Sequence, residues 1–269
     1  MKTITSKNKL KKIIQSQKSL GFVPTMGALH NGHISLINKS MLQCSKTIVS
    51  IFINKAQFNR NNDYHSYPRV MKKDISILKK LKIDYLYIPT EKQIYPDGVN
   101  RNIKISSFQN ALCGKNRPGH FKAVVDVIDR FIKLIKPKKI YLGEKDMQQL
   151  KIIEHFIKSN KIKTKVVGCR TVREKNGIAF SSRNFLLSSN DKIIASKIYQ
   201  LIRKKKNQAI KNRIFLRKIK RKIIKFGIKK IDYIKILDVN NLLDLNSKKK
   251  KYRIFVAYYI KSTRLIDNI

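Results

Sequence analysis

Two histidines near the start of the chain have neighbours that suit phosphate chemistry. The apolar segment Leu20 to Pro24 leads into Gly27, His30, Gly32 and His33, and a helical pattern begins directly afterwards. A helix N-terminus presents backbone N–H groups and partial positive charge, and glycines leave room for a nucleotide beside the backbone. The histidines are three residues apart, so their rings project from one face and can donate hydrogen bonds to phosphate oxygens. A metal pair or a packed histidine pair is the simpler interpretation, but no third ligand lies nearby. The pattern therefore favours a nucleoside triphosphate site.

Two later segments have groups that could act on the same phosphates. The first runs from Gly143 to Asp146 after another apolar segment, and the flexible ammonium of Lys145 can follow charge from an α-phosphate to a departing pyrophosphate. Asp146 also suits the N-cap of a helix that starts near Met147. The second runs from Ser181 to Arg183, where two hydroxyls and a guanidinium on a loop could close over a triphosphate. A plain polar turn explains this second segment equally well, so its function depends on its context.

Two glutamines could recognise a second substrate. Gln57 follows the second predicted strand, and Gln149 lies in the helix after the fourth, so both amides can face one crevice above the sheet. A neutral amide both donates and accepts hydrogen bonds, which matches the hydroxyls and carboxylate of a hydroxy acid. Asn54 is expected to shape the same pocket. Taken alone, Gln57 fits a surface loop equally well.

Short apolar runs alternate with longer amphipathic segments through the first two thirds of the chain. This alternation is typical of βαβ units. It predicts an α/β fold with a Rossmann-like parallel sheet and helices on both faces. Ligands of such sheets bind beyond the carboxyl ends of the strands, where the segments above lie. The predicted strands are Leu20 to Pro24, Thr47 to Asn54, Tyr85 to Ile88, Lys139 to Leu142 and Lys165 to Cys169, and the predicted helices include Ile34 to Gln43, Lys72 to Leu81 and Phe121 to Ile135.

The pattern changes after about residue 170 to a polar loop, two basic helices and two strands. We therefore predict a Rossmann-like substrate-binding domain at residues 1–170 and a small α+β domain at residues 171–269. The lysine runs Lys204 to Lys206 and Lys248 to Lys251 fit a solvated helix end and a hairpin loop better than binding sites. The predicted helices are Asp191 to Lys205 and Ile214 to Phe226, and the predicted strands are Tyr233 to Val239 and Tyr252 to Ile260.

The formal net charge of +45, from 61 Lys and Arg against 16 Asp and Glu, would by itself suggest a nucleic-acid-binding protein. However, the basic residues are mostly Lys, they are spread along the whole chain, and they accompany an excess of Ile and Asn. All three types have codons rich in A and T, so genomic base composition explains them together. No zinc finger, RNA-binding aromatic signature or tryptophan is present. We expect no specific nucleic-acid partner, and steep salt-dependent binding with sequence preference would favour that alternative.

The first residues, Met1 to Lys12, contain no apolar stretch of signal-peptide length, and no uncharged run approaches the length of a membrane span. The chain is therefore expected to be cytoplasmic, without a membrane partner. Cys44, Cys113 and Cys169 are far apart and lack C-x-x-C spacing, so neither a disulfide framework nor a thiolate metal site is expected.

The motifs taken together resemble the pantothenate synthetase family, which belongs to an adenylyl-transferring superfamily that shares an H-x-G-H element. That element alone is specific only to the superfamily. Further landmarks of the family follow in order over nearly the whole chain. They are Pro24-Thr25-Met26-Gly27-Ala28-Leu29-His30-Asn31-Gly32-His33, Phe52 to Phe58, Tyr67-Pro68-Arg69, Ile94-Tyr95-Pro96, Arg117 to Phe121, Gly143 to Gln149, Gly177 to Asn184 and Thr263 to Asn268.

The resemblance implies that ATP, pantoate and β-alanine give pantothenate, AMP and pyrophosphate through a pantoyl-adenylate. It also implies a homodimer, a C-terminal domain that acts as a lid, and Mg²⁺ carried on the ATP phosphates rather than in a protein metal site. The residues implied for pantoate or β-alanine are Gln57, Gln149 and Asn54, and His33, His30 and Lys145 are the catalytic candidates. The residues implied for ATP are Met26, Gly27, Ala28, Leu29, His30, Asn31, Gly32, His33, Gly143, Glu144, Lys145, Asp146, Val172, Phe180, Ser181, Ser182 and Arg183.

Three positions depart from the family pattern. Lys55 replaces a proline, so the loop before Gln57 loses a fixed φ and is expected to be more mobile. Cys113 replaces an acidic residue and Ala123 a glycine, which makes the role of Arg117 less certain than that of Lys145. Two further alternatives share the H-x-G-H element: a nucleotidyltransferase acting on a phosphorylated cofactor precursor, which has no need of the glutamine pair, and a class I aminoacyl-tRNA synthetase, for which this length leaves little space.

Overall fold

The computed structural model describes residues 1–59, 61–242 and 251–269. Within these residues, six strands form one sheet in the order β1-β4-β3-β2-β5-β6, and every neighbouring pair is parallel. The strands are β1 (Lys2–Ile4), β2 (Leu20–Thr25), β3 (Lys46–Ile51), β4 (Tyr85–Tyr87), β5 (Lys139–Gly143) and β6 (Lys165–Cys169).

Helices cover both faces of this sheet, and alternate strand residues point to opposite sides. Phe22 of β2 belongs to one buried cluster, whereas Val23, the next residue, belongs to another. The Phe22 side is covered by the first, seventh and eighth helices, and the Val23 side by the second and fourth. The helices of this part are α1 (Lys7–Ile14), α2 (Asn31–Gln43), α3 (Asn61–His65), α4 (Met71–Lys80), α5 (Glu91–Ile94), α6 (Leu112–Asn116), α7 (His120–Ile135) and α8 (Met147–Ser159).

A second, antiparallel sheet follows in the order β7-β8-β9, formed by Lys230–Asp238, Tyr252–Ile260 and Thr263–Asn268. Helices α9 (Ser189–Lys211) and α10 (Ile214–Lys225) pack against it around their own buried cluster. Leu237 and Phe255 of this sheet are nevertheless buried in the core of the first. The two parts therefore share apolar contacts, and the division at residues 170 and 171 stays a prediction.

The α/β fold with a small antiparallel sheet is confirmed, with corrections in detail. The predicted strand Thr47 to Asn54 is too long, because β3 ends at Ile51 and the chain then turns into a 3₁₀ helix. Lys204 to Lys206 lie inside α9 rather than at a helix end. Of the predicted hairpin loop, Lys248 to Lys250 lie outside the described residues.

The order of the parallel strands reverses between β2 and β5. From β2 the chain builds β3 and β4 on one side, then crosses to add β5 and β6 on the other. In open α/β sheets this switch point leaves a crevice beyond the carboxyl ends of the two strands, where ligands bind. None of the helices in the described residues is both long enough and apolar enough to span a membrane.

Candidate active site

A cavity of about 250 Å³ lies beyond the ends of β2 and β5. It brings together all three catalytic candidates and all three residues proposed for the hydroxy acid. The residues of the proposed site that line it are Met26, His30, Gly32, His33, Asn54, Gln57, Gly143, Lys145, Asp146, Gln149, Val172, Phe180, Ser181, Ser182 and Arg183. The remaining ones, Gly27, Ala28, Leu29, Asn31 and Glu144, lie outside its wall, and their assignment to ATP stays a prediction.

The segment Pro24 to His33, here called the histidine turn, leaves β2 and enters α2. His30 is the N-cap of α2, and its Nδ1 accepts a hydrogen bond from the N–H of Gly32 at 3.1 Å. Because Nδ1 is the acceptor, the ring proton is on Nε2, which is left as a donor. A Cβ at Gly32 would lie 2.9 Å from that same Nδ1. Gly32 thus makes room for the imidazole, a role that the sequence argument did not foresee.

The two imidazoles are stacked with ring centroids 4.1 Å apart. Burial, reinforced by the positive charge of Lys145, lowers the pKa of His30 from 6.5 to about 4. Burial also lowers the pKa of His33 well below its ordinary value, with His30 and Lys145 acting in the same direction. Both rings are therefore neutral at pH 7, and each can donate one N–H to a phosphate oxygen.

Asp74 of α4 holds the middle of the histidine turn. Its carboxylate accepts the backbone N–H of Ala28 and of Leu29, each at 2.8 Å. The side chain is buried, and desolvation raises the pKa of Asp74 although the two N–H bonds oppose this shift. Gly27 has a positive φ of 77°, and a Cβ there would lie 3.0 Å from the carboxylate. These two N–H groups, which precede the helix, therefore bind a side chain of the protein.

The segment Gly143 to Asp146, here called the lysine turn, leaves β5 as a short 3₁₀ helix. Lys145 is 18% exposed, and its Nζ lies 3.6 Å from Asp146 Oδ1. Asp146 is the N-cap residue of α8, which begins at Met147 as predicted, but its carboxylate makes no capping hydrogen bond to the helix. The carboxylate of Glu144 points away from the cavity and pairs with Arg253 at 2.8 Å.

At the other end of the cavity, two basic side chains fix the backbone of Gln57. The carbonyl oxygen of Gln57 accepts hydrogen bonds from Arg117 at 3.0 Å and from His120 Nδ1 at 2.8 Å. Since Nδ1 donates, His120 Nε2 accepts from the Arg117 guanidinium at 3.0 Å. Burial, then Arg117, lowers the pKa of His120 well below its usual value. His120 was not among the predicted site residues, although it belongs to the Arg117 to Phe121 segment of the family pattern.

Asn54 shapes the pocket by bonding within the protein. It is almost completely buried, its Oδ1 accepts from the Tyr95 hydroxyl at 3.1 Å and its Nδ2 donates to the Ala123 carbonyl at 3.4 Å. Of the family departures, Ala123 therefore contacts this pocket residue through its backbone carbonyl. Cys113 lies further off, with its Sγ 3.1 Å from the Tyr233 hydroxyl and 3.5 Å from the guanidinium nitrogens of Arg264.

The loop from Phe180 to Arg183 closes a third side. The hydroxyl of Ser182 donates to the carbonyl of Ala28 in the histidine turn at 3.0 Å. Arg183 forms two short bonds to Asp63, at 3.0 and 2.9 Å, while Phe180 N–H donates to the Val172 carbonyl at 3.0 Å. The loop is thus tied to the turn that it faces.

Metal ligands are not grouped in this site. Across the part of the chain that the structure describes, no cluster of three or more His, Cys, Asp or Glu side chains could hold a metal ion. Apart from the carboxylate of Asp146, which lies beside Lys145, the polar side chains of the cavity are amides, hydroxyls, neutral imidazoles and cations, which suit an anionic substrate.

Comparisons with known proteins agree with this geometry. A family model described as pantoate-beta-alanine ligase matches residues 1–269. The pantothenate synthetase of Francisella philomiragia is 43% identical over 268 residues, which cover 99% of this chain and 95% of that protein. The pantothenate synthetase of Sulfurihydrogenibium sp. is 38% identical, with 100% and 99% covered.

Two solved structures are similar over the whole chain. The pantothenate synthetase of Thermus thermophilus has a TM-score of 0.91 at 32% identity, with 100% of this chain and 99% of that chain covered. The pantoate-beta-alanine ligase of Francisella tularensis, complexed with beta-gamma ATP and beta-alanine, has a TM-score of 0.88 at 42% identity, with 100% and 97% covered.

Proposed function

The chain belongs to the pantoate-beta-alanine ligase family and condenses pantoate with β-alanine at the expense of ATP, and we propose that it does so through a pantoyl-adenylate formed in the cavity described above. One observation supports this most directly. The neutral histidine pair, Lys145, Gln57 and Gln149 all line a single cavity at the switch point of the sheet. The alternatives that share only the H-x-G-H element do not account for the two glutamines.

In the first step, a pantoate carboxylate oxygen attacks the α-phosphorus of ATP. A new P–O bond forms, the bond from the α-phosphorus to the bridging oxygen breaks, and pyrophosphate leaves with that electron pair. Negative charge moves onto the leaving group as the bond breaks. His30 and His33 donate neutral N–H groups to it, and Lys145 follows the charge with its ammonium. Because the carboxylate is already ionised, this step needs no general base.

In the second step, the neutral amine of β-alanine attacks the acyl carbon. The C–N bond forms, the C–O bond to AMP breaks, and the amine loses a proton to water or a nearby group. The products are pantothenate and AMP. The loop Phe180 to Arg183 and the C-terminal sheet are proposed to exclude water during this step, so that the adenylate is not hydrolysed.

Gln57 and Gln149 are proposed to bind pantoate, and Asn54 to keep their pocket in shape. The assignment of Gln57 is supported by the hydrogen bonds from Arg117 and His120 to its carbonyl oxygen, which hold this residue at the cavity wall. A neutral amide can bind the hydroxyls and carboxylate without a full counter-charge that would weaken the nucleophile.

We also propose that Mg²⁺ enters as part of the ATP substrate. Asp146 is the carboxylate at the cavity wall, and the neighbouring Lys145 already partly neutralises it. One such carboxylate, with phosphate oxygens and water as the other ligands, is the usual arrangement for Mg²⁺ bound to a nucleotide.

The assembly and location are proposals from the family and the sequence. We propose a cytoplasmic homodimer; Leu42, 86% exposed near the end of α2, offers apolar surface for a partner copy. Light scattering of the purified protein tests the dimer. We further propose that the positively charged surface is not specific for nucleic acid, so that any duplex bound at low salt is bound without sequence preference and released near physiological salt. A salt titration with two unrelated duplexes tests this.

Exchange of labelled pyrophosphate into ATP tests the two-step reaction. With pantoate present and β-alanine absent, exchange is expected, because adenylation precedes attack by the amine. Omitting pantoate is the control and should abolish exchange. Exchange that appears only when β-alanine is added would contradict the adenylate.

A further inference from the structure

The backbone of the lysine turn is hydrogen-bonded by Asn268, a residue far along the chain. Asn268 lies in β9 and is 4% exposed. Its Nδ2 donates to the carbonyl oxygens of both Glu144 and Lys145, each at 2.8 Å. These carbonyls belong to the two peptide units on either side of the Lys145 Cα. One primary amide therefore fixes both planes that set the direction of the Lys145 side chain.

Arg253 of β8 fixes the orientation of that amide. Its guanidinium donates to Asn268 Oδ1 at 2.8 Å and, through its other terminal nitrogen, to Glu144 Oε2 at 2.8 Å. Because the arginine has no acceptor, the oxygen of Asn268 must face it, and the NH₂ group must face the turn. The C-terminal sheet thus binds the lysine turn in two ways: the Asn268 amide donates to its backbone, and Arg253 forms an ion pair with Glu144.

The turn has little local support of its own. Gly143, at its start, has no side chain that could cap it, and Asp146, at the start of α8, makes no side-chain capping bond. A short 3₁₀ helix also has poorer hydrogen-bond geometry than an α-helix. The Lys145 ammonium reaches the cavity on a flexible four-carbon chain, so its starting direction depends on the backbone that Asn268 holds.

We propose that Asn268 is a positioning residue for Lys145, through which docking of the C-terminal sheet places the ammonium group for adenylation. The proposal rests on the function of Lys145 proposed above. It assigns Asn268 no contact with substrate. It requires an amide at position 268. An aspartate there would place carboxylate oxygens, which cannot donate, against the carbonyl oxygens of Glu144 and Lys145.

The test is a double-mutant cycle on single-turnover pantoyl-adenylate formation. Asn268→Asp keeps the size of the side chain but removes both donors, and a displacement of about 1 Å in a catalytic group can cost up to ~100-fold. We expect adenylation to slow by at least about 10-fold, with the pantoate KM changed less than about twofold. In a Lys145→Ala background the same substitution should slow the reaction less than about twofold, because the group that it positions is already absent.

Asp267→Asn is the matched control, one residue earlier in β9. It weakens the pair with Arg173, at 2.7 and 2.9 Å, whose guanidinium also donates to the Gly177 carbonyl. Asp267 Oδ1 accepts the Asn268 N–H at 2.8 Å as well, and the amide oxygen of the variant can still accept that bond. Asp267→Asn should lower Tm and leave the adenylation rate within about twofold. Arg253→Gln, which frees the Asn268 amide to rotate, should repeat the Asn268→Asp pattern with a smaller slowing.

Three results would overturn the proposal: an unchanged rate in Asn268→Asp, equal slowing in both backgrounds, or equal slowing by Asp267→Asn. Hydrogen exchange of the amides from Gly143 to Met147 gives a readout without turnover, and Asn268→Asp should accelerate it. Unchanged exchange there also overturns the proposal. A wild-type protein that forms no adenylate would instead count against the proposed function.

Discussion

The histidine turn and the lysine turn follow neighbouring strands and face the same cavity, but they are held in different ways. The histidine turn caps its own helix through His30, and Asp74 of the same sheet domain binds its backbone. The lysine turn depends on Asn268 and Arg253 of the C-terminal sheet. One half of the proposed phosphate site is therefore held mainly by the parallel sheet and its helices, whereas the other half depends on contacts from the second sheet.

Removing the lysine is expected to have the largest effect. Lys145→Ala should slow adenylation by about 10²- to 10³-fold, the usual loss when one electrostatic donor is removed from a closed site, while ATP binding changes much less. Single-turnover kinetics and ATP titration measure the two effects. Lys151→Ala, in the helix that follows, is the control and should keep the wild-type rate. If Lys145→Ala keeps the wild-type rate, the lysine turn has no part in adenylation, and only the histidine turn remains as a proposed phosphate site.

Asp74→Asn tests whether the histidine turn has its own support. The amide keeps one acceptor but brings an NH₂ group against a backbone N–H, so a buried donor loses its partner. We expect the free energy of unfolding to fall by about 2–3 kcal/mol, and adenylation to slow as the turn loosens. Chemical denaturation measures the first effect.

Asp84→Asn is the matched control for that substitution. Asp84 also accepts a backbone N–H, from Thr47 at 2.8 Å, but at the opposite end of β3 and with 26% side-chain exposure. Asp84→Asn should lower the free energy of unfolding by no more than about 1 kcal/mol and leave the adenylation rate unchanged. Equal behaviour of the two variants would mean that Asp74 has no special role in the turn.

Gln57→Ala extends the comparison to a third segment, whose backbone is also held from a distance. The loss of an amide partner should raise the pantoate KM by about 10- to 100-fold, equivalent to about 1–3 kcal/mol, with ATP binding intact. Titration with each substrate separates the two effects. Gln93→Ala, in helix α5, removes an amide that bonds the backbone of Thr5 and Thr90 and does not line the cavity, so it should change neither. Loss of ATP binding with unchanged pantoate affinity would reverse our division of the cavity.

The free energy of unfolding should depend on pH through His30 of the histidine turn. The pKa of His30 is lowered to about 4 in the folded protein from 6.5, so as pH falls the unfolded chain binds this proton first. The contribution is fully present above pH 6.5 and is lost between there and about pH 4, by at most about 1.4 kcal/mol per pH unit. His30→Gln should therefore reduce the slope of the unfolding free energy over this range, while His33 and His120, whose pKa values are also lowered by burial, keep part of it. The control His65→Gln replaces an exposed histidine and should not reduce the slope.

Much of this site could be predicted because its chemistry is local in sequence. His30 and His33 follow a strand and open a helix within one short segment, and Gln57 follows the next strand, so βαβ topology alone brings them together. The short strand β1 was missed because three residues give no usable periodicity. Strand β3 was extended too far because Phe52 and Ile53 continue its apolar run after the backbone has turned.

The supporting contacts could not be predicted in the same way. Asp74 is a single acidic residue on an amphipathic helix, and the pattern alone does not distinguish it from a solvated one. Asn268 was seen as part of a motif, but its two bonds to the lysine turn depend on how two sheets dock. Such contacts join segments more than 40 positions apart, and their specificity lies in three-dimensional geometry rather than in spacing.

The position of Asn268 also bears on the order in which the site is made during synthesis. The residue that fixes the lysine turn follows Lys145 by 123 positions. At roughly 5–20 residues per second, a ribosome takes on the order of 6–25 s to cover that interval. Throughout it, the parallel sheet and its histidine turn can fold while the lysine turn lacks its partner. A nascent chain should therefore gain the ability to bind ATP well before it gains the ability to adenylate pantoate.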